Sequence, residues 1–170
     1  SYGGTDPGIT SGVVNIFSTR CAFAALKSDG SVKAWGNLDC GGSDPGITSG
    51  IVAIYSASEA FAALHSDGSV TTWGNPNMGG KAPNLLNGIE TIFAAYWGFA
   101  AVNSEGVVET WGDPNSVGAD PKITSGVRNI FSSNGACAAI KTDGSVKTWG
   151  SSDYGGGDPG ITSGAISIFS

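Results

Sequence analysis

The chain repeats itself every 38 residues with no insertion or deletion. Gly12, Gly50, Gly88, Gly126 and Gly164 fall 38 apart, and so do Trp35, Trp73, Trp111 and Trp149. A fixed period in this range marks a propeller, solenoid or stacked array. One such unit cannot bury its own apolar face and must borrow a wall from its neighbour. The period divides the 170 residues into four full units, 1–38, 39–76, 77–114 and 115–152, and a partial unit at 153–170. It also assigns the most prominent residues to architecture, so function has to be sought where the copies differ.

Each unit reads as a set of short strands. In unit 1, Val13–Phe17, Ala22–Lys27 and Val32–Trp35 are β-prone runs too short for an ordinary helix, and Gly36 follows the tryptophan. Asp29-Gly30 separates the second and third runs and returns as Asp67-Gly68 and Asp143-Gly144, with Glu105-Gly106 in unit 3. An Asp-Gly pair in that setting predicts a hairpin with a type I′ turn. The Asp-Pro-Gly-Ile-Thr-Ser-Gly segment at 6–12 recurs at 44–50 and 158–164, and at 120–126 with Lys122 in place of the first glycine. It is the candidate for a short fourth strand. The fold class is therefore all-β, a β-propeller or a segment of one, with a three- to four-stranded antiparallel sheet per unit. Trp35, Trp73, Trp111 and Trp149 are expected to fill the space between sheets, each indole N–H needing an acceptor. Gly30, Gly68, Gly106 and Gly144 are expected to serve the turns. The paired alanines at 24–25, 62–63, 100–101 and 138–139 let neighbouring sheets approach closely, where larger residues would overpack.

The stretch Ala-Leu-Lys-Ser-Asp-Gly-Ser-Val-Lys-Ala-Trp-Gly at 25–36, with its copies at 63–74 and 139–150, resembles the regulator of chromosome condensation repeat family. The short unit is more similar to the compact bacterial members, of which the propeller-type β-lactamase inhibitory protein is typical, than to the longer eukaryotic units. The resemblance spans essentially the whole chain. It implies a propeller, usually of seven blades, that binds other proteins through loops at its rim or face, and it implies no single shared activity. Four and a half units fall short of seven blades, so the chain is expected to be a stretch of a longer repeat protein.

Composition narrows the function classes. The net charge is −6 and the basic residues are scattered, which disfavours a phosphate backbone or an anionic membrane as partner. The longest apolar runs are too short to cross a bilayer, so direct membrane insertion is not expected. The single histidine, His65, shares its repeat position with Lys27, Asn103 and Lys141, a solvated strand end. No cluster has zinc spacing, and the Asp-Gly turns lack the alternating acids of a calcium loop. The reading is no enzyme, no cofactor and no metal. Cys137 stands where Phe23, Phe61 and Phe99 recur and reads as a small buried hydrophobe. Cys21 and Cys40 can pair if the chain is exported, and spacing does not decide it. An extracellular, cell-surface or organelle-lumen setting is favoured over the cytoplasm.

What remains is surface. One variable position group lies between the first two strands: Thr19-Arg20-Cys21, Ala57-Ser58-Glu59, Ala95-Tyr96-Trp97 and Ser133-Asn134-Gly135. The other follows the tryptophan, at 37–43, 75–81, 113–119 and 151–157. Varied loops on a fixed scaffold are how one fold hosts many binding sites. Unit 3 departs furthest, with Tyr96 and Trp97 together and with Leu86 in a segment that loses the acid of the consensus. Exposed Tyr and Trp are typical interface anchors. The candidate protein-binding residues are Tyr96, Trp97, Leu86, Arg20, Glu59 and Met78; Tyr2, Tyr154 and Met78 form a weaker second stripe. Trp97 has a competing structural reading, as cover for the gap beside Gly98. The expected function is a non-catalytic module for protein–protein interaction or assembly, its partner another protein or a subunit of a larger complex. The alternative is a structural repeat region of an extracellular surface protein or adhesin, including one that binds carbohydrate.

Overall fold

The computed structural model describes residues 7–83 and 87–169. Each full unit forms one antiparallel three-stranded sheet. Unit 1 contributes β1 (Val13–Ser18), β2 (Ala22–Lys27) and β3 (Val32–Gly36); unit 2 contributes β4 (Ile51–Ser56), β5 (Ala60–His65) and β6 (Val70–Gly74). Unit 3 contributes β7 (Ile89–Ala95), β8 (Gly98–Asn103) and β9 (Val108–Gly112), and unit 4 contributes β10 (Val127–Ser132), β11 (Ala136–Lys141) and β12 (Val146–Gly150). The Asp-Pro-Gly segment is not a fourth strand in its described copies. It runs past the start of the third strand, where Val32 N donates to Ile47 O at 3.0 Å and Val108 N to Ile123 O at 3.1 Å. Pro removes a donor and Gly46 turns the chain at φ 71°, so a ladder cannot extend.

The hairpins are those predicted, but the turn is not type I′. Gly30 has φ 76°, and Lys122 is the one described non-glycine residue with positive φ, so Asp29 stays right-handed. Gly30 N donates to Lys27 O at 2.9 Å and Lys27 N to Ser31 O at 3.0 Å. This is a type I turn closed by a left-handed glycine bulge. Asp29 is used through its carboxylate, which accepts from Ser31 N at 2.9 Å and Ser31 Oγ at 2.5 Å. Glycine is also required by contact, since a Cβ on Gly30 would lie 2.7 Å from the backbone nitrogen of Gly50. Unit 3 replaces both partners: Asn103 Oδ1 accepts from Glu105 N at 3.0 Å and Val107 N at 2.9 Å, doing the work of the missing aspartate.

Successive first strands, β1, β4, β7 and β10, pack against one another, so they form the inner edge from which the sheets radiate. Alternation along each strand gives every sheet two apolar faces. The trailing face of unit 1 (Ala22, Ala24, Leu26, Val32, Ala34) packs on the leading face of unit 2 (Ile51, Ile54, Phe61, Ala63, Trp73). The same junction is built between units 2 and 3 and between units 3 and 4. Phenylalanine and tryptophan stack across the sheets of units 1 to 3, as Phe61 on Trp73 at 5.1 Å and Phe99 on Trp111 at 5.4 Å, and in unit 4 Cys137 stands opposite Trp149. The tryptophan N–H groups find their acceptors in the loop of the preceding junction: Trp73 donates to Gly41 O, Trp111 to Gly79 O and Trp149 to Val117 O, at 3.0–3.2 Å. The position equivalent for Trp35 is residue 3, outside the described residues.

Cys21 and Cys40 form a disulfide, with Cα atoms 5.8 Å apart. Cys137 is buried in the junction between units 3 and 4, and burial pushes its thiol up to about 12, which leaves it inert at neutral pH. Lys122 sits at φ 56°, where units 1, 2 and 5 hold Gly8, Gly46 and Gly160; a side chain there costs about 1 kcal/mol.

Candidate binding site at the inner mouth

The turns that follow the first strands come together at one end of the inner edge. They surround an open concavity of about 820 Å³ lined by Ser18, Thr19, Arg20, Ser56, Ala57, Ser58, Ala94, Ala95, Tyr96, Ser132, Ser133 and Asn134. Each unit supplies three consecutive residues, because the 38-residue period places the same turn at the same height in every sheet. One of the two variable position groups therefore becomes a single surface.

The turns are tied to one another. Arg20 N donates to Ser58 O at 2.8 Å, and Ser58 N donates to Tyr96 O at 3.0 Å. Ser132 Oγ reaches back to Ala94 O at 2.9 Å. Thr19 Oγ1 donates to Cys40 O and Ser133 Oγ to Tyr154 O, both at 2.9 Å, which pins the turns of units 1 and 4 to the loops after their own tryptophans. The bonds between units 1, 2 and 3 are backbone to backbone, so they do not depend on the side chains at Arg20, Ser58 and Tyr96. Among the lining residues Arg20 alone is charged. Its guanidinium pairs with the Glu59 carboxylate, which also accepts from Asn75 Nδ2 at 2.7 Å. Arg20 and Glu59 also border a second concavity of about 680 Å³ with Asn37, Asp39, Asn75 and the disulfide.

Of the residues singled out in the sequence, Arg20, Glu59 and Tyr96 are brought together at or beside the mouth. Tyr96 is 42% exposed, and its ring meets Trp97 edge-on at 4.8 Å. Trp97 takes a different place: it is half-buried against the core of the junction between units 3 and 4. Met78 lies in the short 3-10 turn Pro76–Met78, half-buried and away from the mouth lining. Tyr154 is 51% exposed beside Gly135, where a Cβ would meet its ring at 2.7 Å. Leu86 and Tyr2 lie outside the described residues. His65 is at the end of β5 remote from the mouth, with Nε2 2.8 Å from Thr71 Oγ1. Among the described residues no group of three or more His, Cys, Asp or Glu side chains is placed to hold a metal ion.

The sequence reading passed over Ser18, Ser56 and Ser132, which close the first strands of units 1, 2 and 4 and bring hydroxyls to the mouth. Their recurrence marked them as scaffold. Their signal was polarity at the end of an apolar strand, at a fixed distance from a variable turn.

In units 1 and 4 the turn meets the loop after its own tryptophan: Cys21 is bonded to Cys40, and Gly135 lies against the ring of Tyr154. The equivalent positions hold Glu59 and Met78 in unit 2 and Trp97 and Ser116 in unit 3.

No protein-family model and no curated protein matches the chain. Solved structures match its fold. Prp20p from Saccharomyces cerevisiae, the yeast RCC1, is 19% identical with a TM-score of 0.61, over 81% of this chain and 43% of that one. The ectodomain of the receptor kinase ACR4 from Arabidopsis thaliana is 20% identical with a TM-score of 0.57, over 81% and 49%. The computationally designed Ika4 protein is 19% identical with a TM-score of 0.50, over 87% of this chain and 99% of that one. The chain thus folds as a repeat β-propeller of the RCC1 type and spans less than half the length of the natural structures it matches. Prp20p is described with its binding to Gsp1p and histones, and also bound to Kap60.

Proposed function

We propose that this chain is a non-catalytic protein-binding module whose partner docks at the inner mouth. The observation that carries the reading is the convergence of four differing turns on one concavity whose backbone is fixed by inter-unit hydrogen bonds. A frame tied by hydrogen bonds lowers the ordering cost of binding, and an exposed aromatic and an arginine on the same concavity supply the anchor types that dominate protein interfaces. The yeast protein of the same fold binds proteins, which agrees with this use of the scaffold. Tyr96 is the anchor, Arg20 and Glu59 set the charge at one rim, and the hydroxyls of Ser18, Ser56 and Ser58 offer adaptable hydrogen bonds.

Panning a displayed peptide library on the intact chain, followed by calorimetry of the enriched peptides, tests the reading. Tyr96→Ala is expected to weaken binding at least about tenfold, the loss of one anchor. Ser66→Ala, at the remote turn, is expected to leave affinity unchanged. Equal binding by both variants removes the mouth as the site. Enrichment of glycans and no peptides on a parallel array moves the assignment to carbohydrate recognition.

A further inference from the structure

Arg20, Ser58 and Tyr96 hold one repeat position, the middle of the turn, in units 1, 2 and 3. They are joined in a row, since Arg20 N donates to Ser58 O and Ser58 N to Tyr96 O. A cation, a hydroxyl and an aromatic ring therefore follow one another in a fixed order along the mouth.

The charges around Arg20 are divided between two concavities. Arg20 lines both, whereas Glu59 and Asp39 line the second and neither lines the mouth. The Glu59 side chain is 15% exposed and both its oxygens are engaged, Oε1 by the Arg20 guanidinium and Oε2 by Asn75 Nδ2. The Arg20 side chain is 64% exposed, and only one of its terminal nitrogens is used in that pair. Its other N–H donors have no partner among the described residues. Glu59 thus holds the guanidinium from one side, beside a mouth whose other lining residues are uncharged. Ser58 adds a second donor. The residue is 9% exposed, and its N–H and C=O are both spent on the row. Its hydroxyl makes no hydrogen bond among the described residues. No enclosed side-chain polar atom lacks a partner among them, so Ser58 Oγ opens into the concavity that the residue lines.

Taking the mouth as the docking site, we infer that it receives an acidic segment of the partner protein, with an aspartate or glutamate side chain seated on the Arg20 guanidinium and the Ser58 hydroxyl. A carboxylate accepts from both, and the planar guanidinium can hold it with two parallel bonds. A singly charged group suits the site. The guanidinium already shares one carboxylate, so a phosphate dianion would leave the cluster with excess negative charge. A basic segment meets its acids in the second concavity and no counter-charge at the mouth. Backbones joined by one N–H···O bond lie about 5 Å apart, so the two steps of the row separate Arg20 from Tyr96 by about 10 Å. An extended peptide rises about 3.3 Å per residue, which puts an apolar residue over Tyr96 about three positions from the acid.

The test pans two end-capped peptide libraries on the intact chain, one containing Asp and Glu and one lacking both, and measures the enriched peptides by calorimetry. Peptides from the first library are expected to carry an acid about three positions from an aromatic or aliphatic residue. Changing that acid to its amide is expected to weaken binding at least about tenfold. On the Arg20→Gln variant the same change in the peptide is expected to alter affinity by less than about twofold, because the two groups act as one pair. Glu59→Gln, which leaves Arg20 in place and removes its competing carboxylate, is expected to strengthen binding of the acidic peptides by about two- to fivefold. Circular dichroism checks that both variants fold; each keeps the backbone bond from Arg20 to Ser58. Equally tight peptides from the acid-free library that still depend on Tyr96 overturn the carboxylate and leave the mouth as the docking site. An acid-to-amide loss that stays undiminished on Arg20→Gln overturns it too. Failure of both libraries to yield any binder overturns the docking site itself, and the carboxylate with it.

Discussion

Units 1 and 2 carry almost the same sheet in two different surroundings. Ile16 and Ile54 occupy one position, as do Phe23 and Phe61, yet the first of each pair is half open to water and the second is buried. Strand pairing is the same in both: Ile16 faces Ala25 across β1 and β2, and Ile54 faces Ala63 across β4 and β5. The hydrogen-bonded sheet is thus a property of the unit, and burial is a property of the junction. In this architecture each sheet is stable to the extent that it has neighbours.

The largest effect should come from breaking an interior junction. Phe61→Ala is expected to cost about 3–5 kcal/mol, because the ring is fully enclosed and its neighbours cannot close the cavity. Phe23→Ala, at the exposed counterpart, should cost about 1–2 kcal/mol for the area it does cover. Urea melts in dilute solution check both, and equal losses would mean that the face of unit 1 is covered there.

The disulfide sharpens the comparison from the other side. It joins the turn of the open-faced unit to the loop leading into unit 2 and closes a loop of 19 residues. Removing it with paired Cys21→Ser and Cys40→Ser changes is expected to cost about 3 kcal/mol from loop entropy. Hydrogen exchange should rise in β1–β3 well before β7–β9. A uniform rise across the units would show that the bond acts on the whole array instead.

The smallest effect concerns the turns. Hydrogen bonds from the Ser31, Ser69 and Ser145 hydroxyls, and then from their amides, hold Asp29, Asp67 and Asp143 below the ordinary value of 3.8. A carboxyl held low in the folded chain contributes stability that is complete above its unfolded value. That contribution is lost as pH falls through the folded value. Acidification below about pH 4 should therefore loosen these turns, while the unit 3 turn is capped by the amide oxygen of Asn103, which takes up no proton in this range. Amide exchange at Ser31, Ser69 and Ser145 against Val107 reads the difference, and parallel behaviour of all four would discount the carboxylate.

Much of the fold was legible because the period is strict. Hairpins, the stacking of one unit on the next and the acceptor needs of the tryptophans all followed from residues at constant spacing. The turn type did not, because Asp-Gly suits more than one turn, and the loop between Lys27 and Ser31 is three residues long, which takes a type I turn with a glycine bulge. The fourth strand failed for a similar reason, since proline and a left-handed glycine interrupt the ladder. At the candidate site the variable turns were visible in the sequence, but their convergence was not. Tyr96 and Trp97 are adjacent in the chain and their rings touch, yet one is exposed at the mouth and the other is half-buried against the junction.

The sequence by itself determined the unit: its length, its strands, and the residues that must face a neighbour, since alternation and repetition are written locally. The tertiary structure alone decided how the faces of successive units fit together and which differing residues share a surface. Burial and convergence depend on contacts between residues tens of positions apart, which no single unit records.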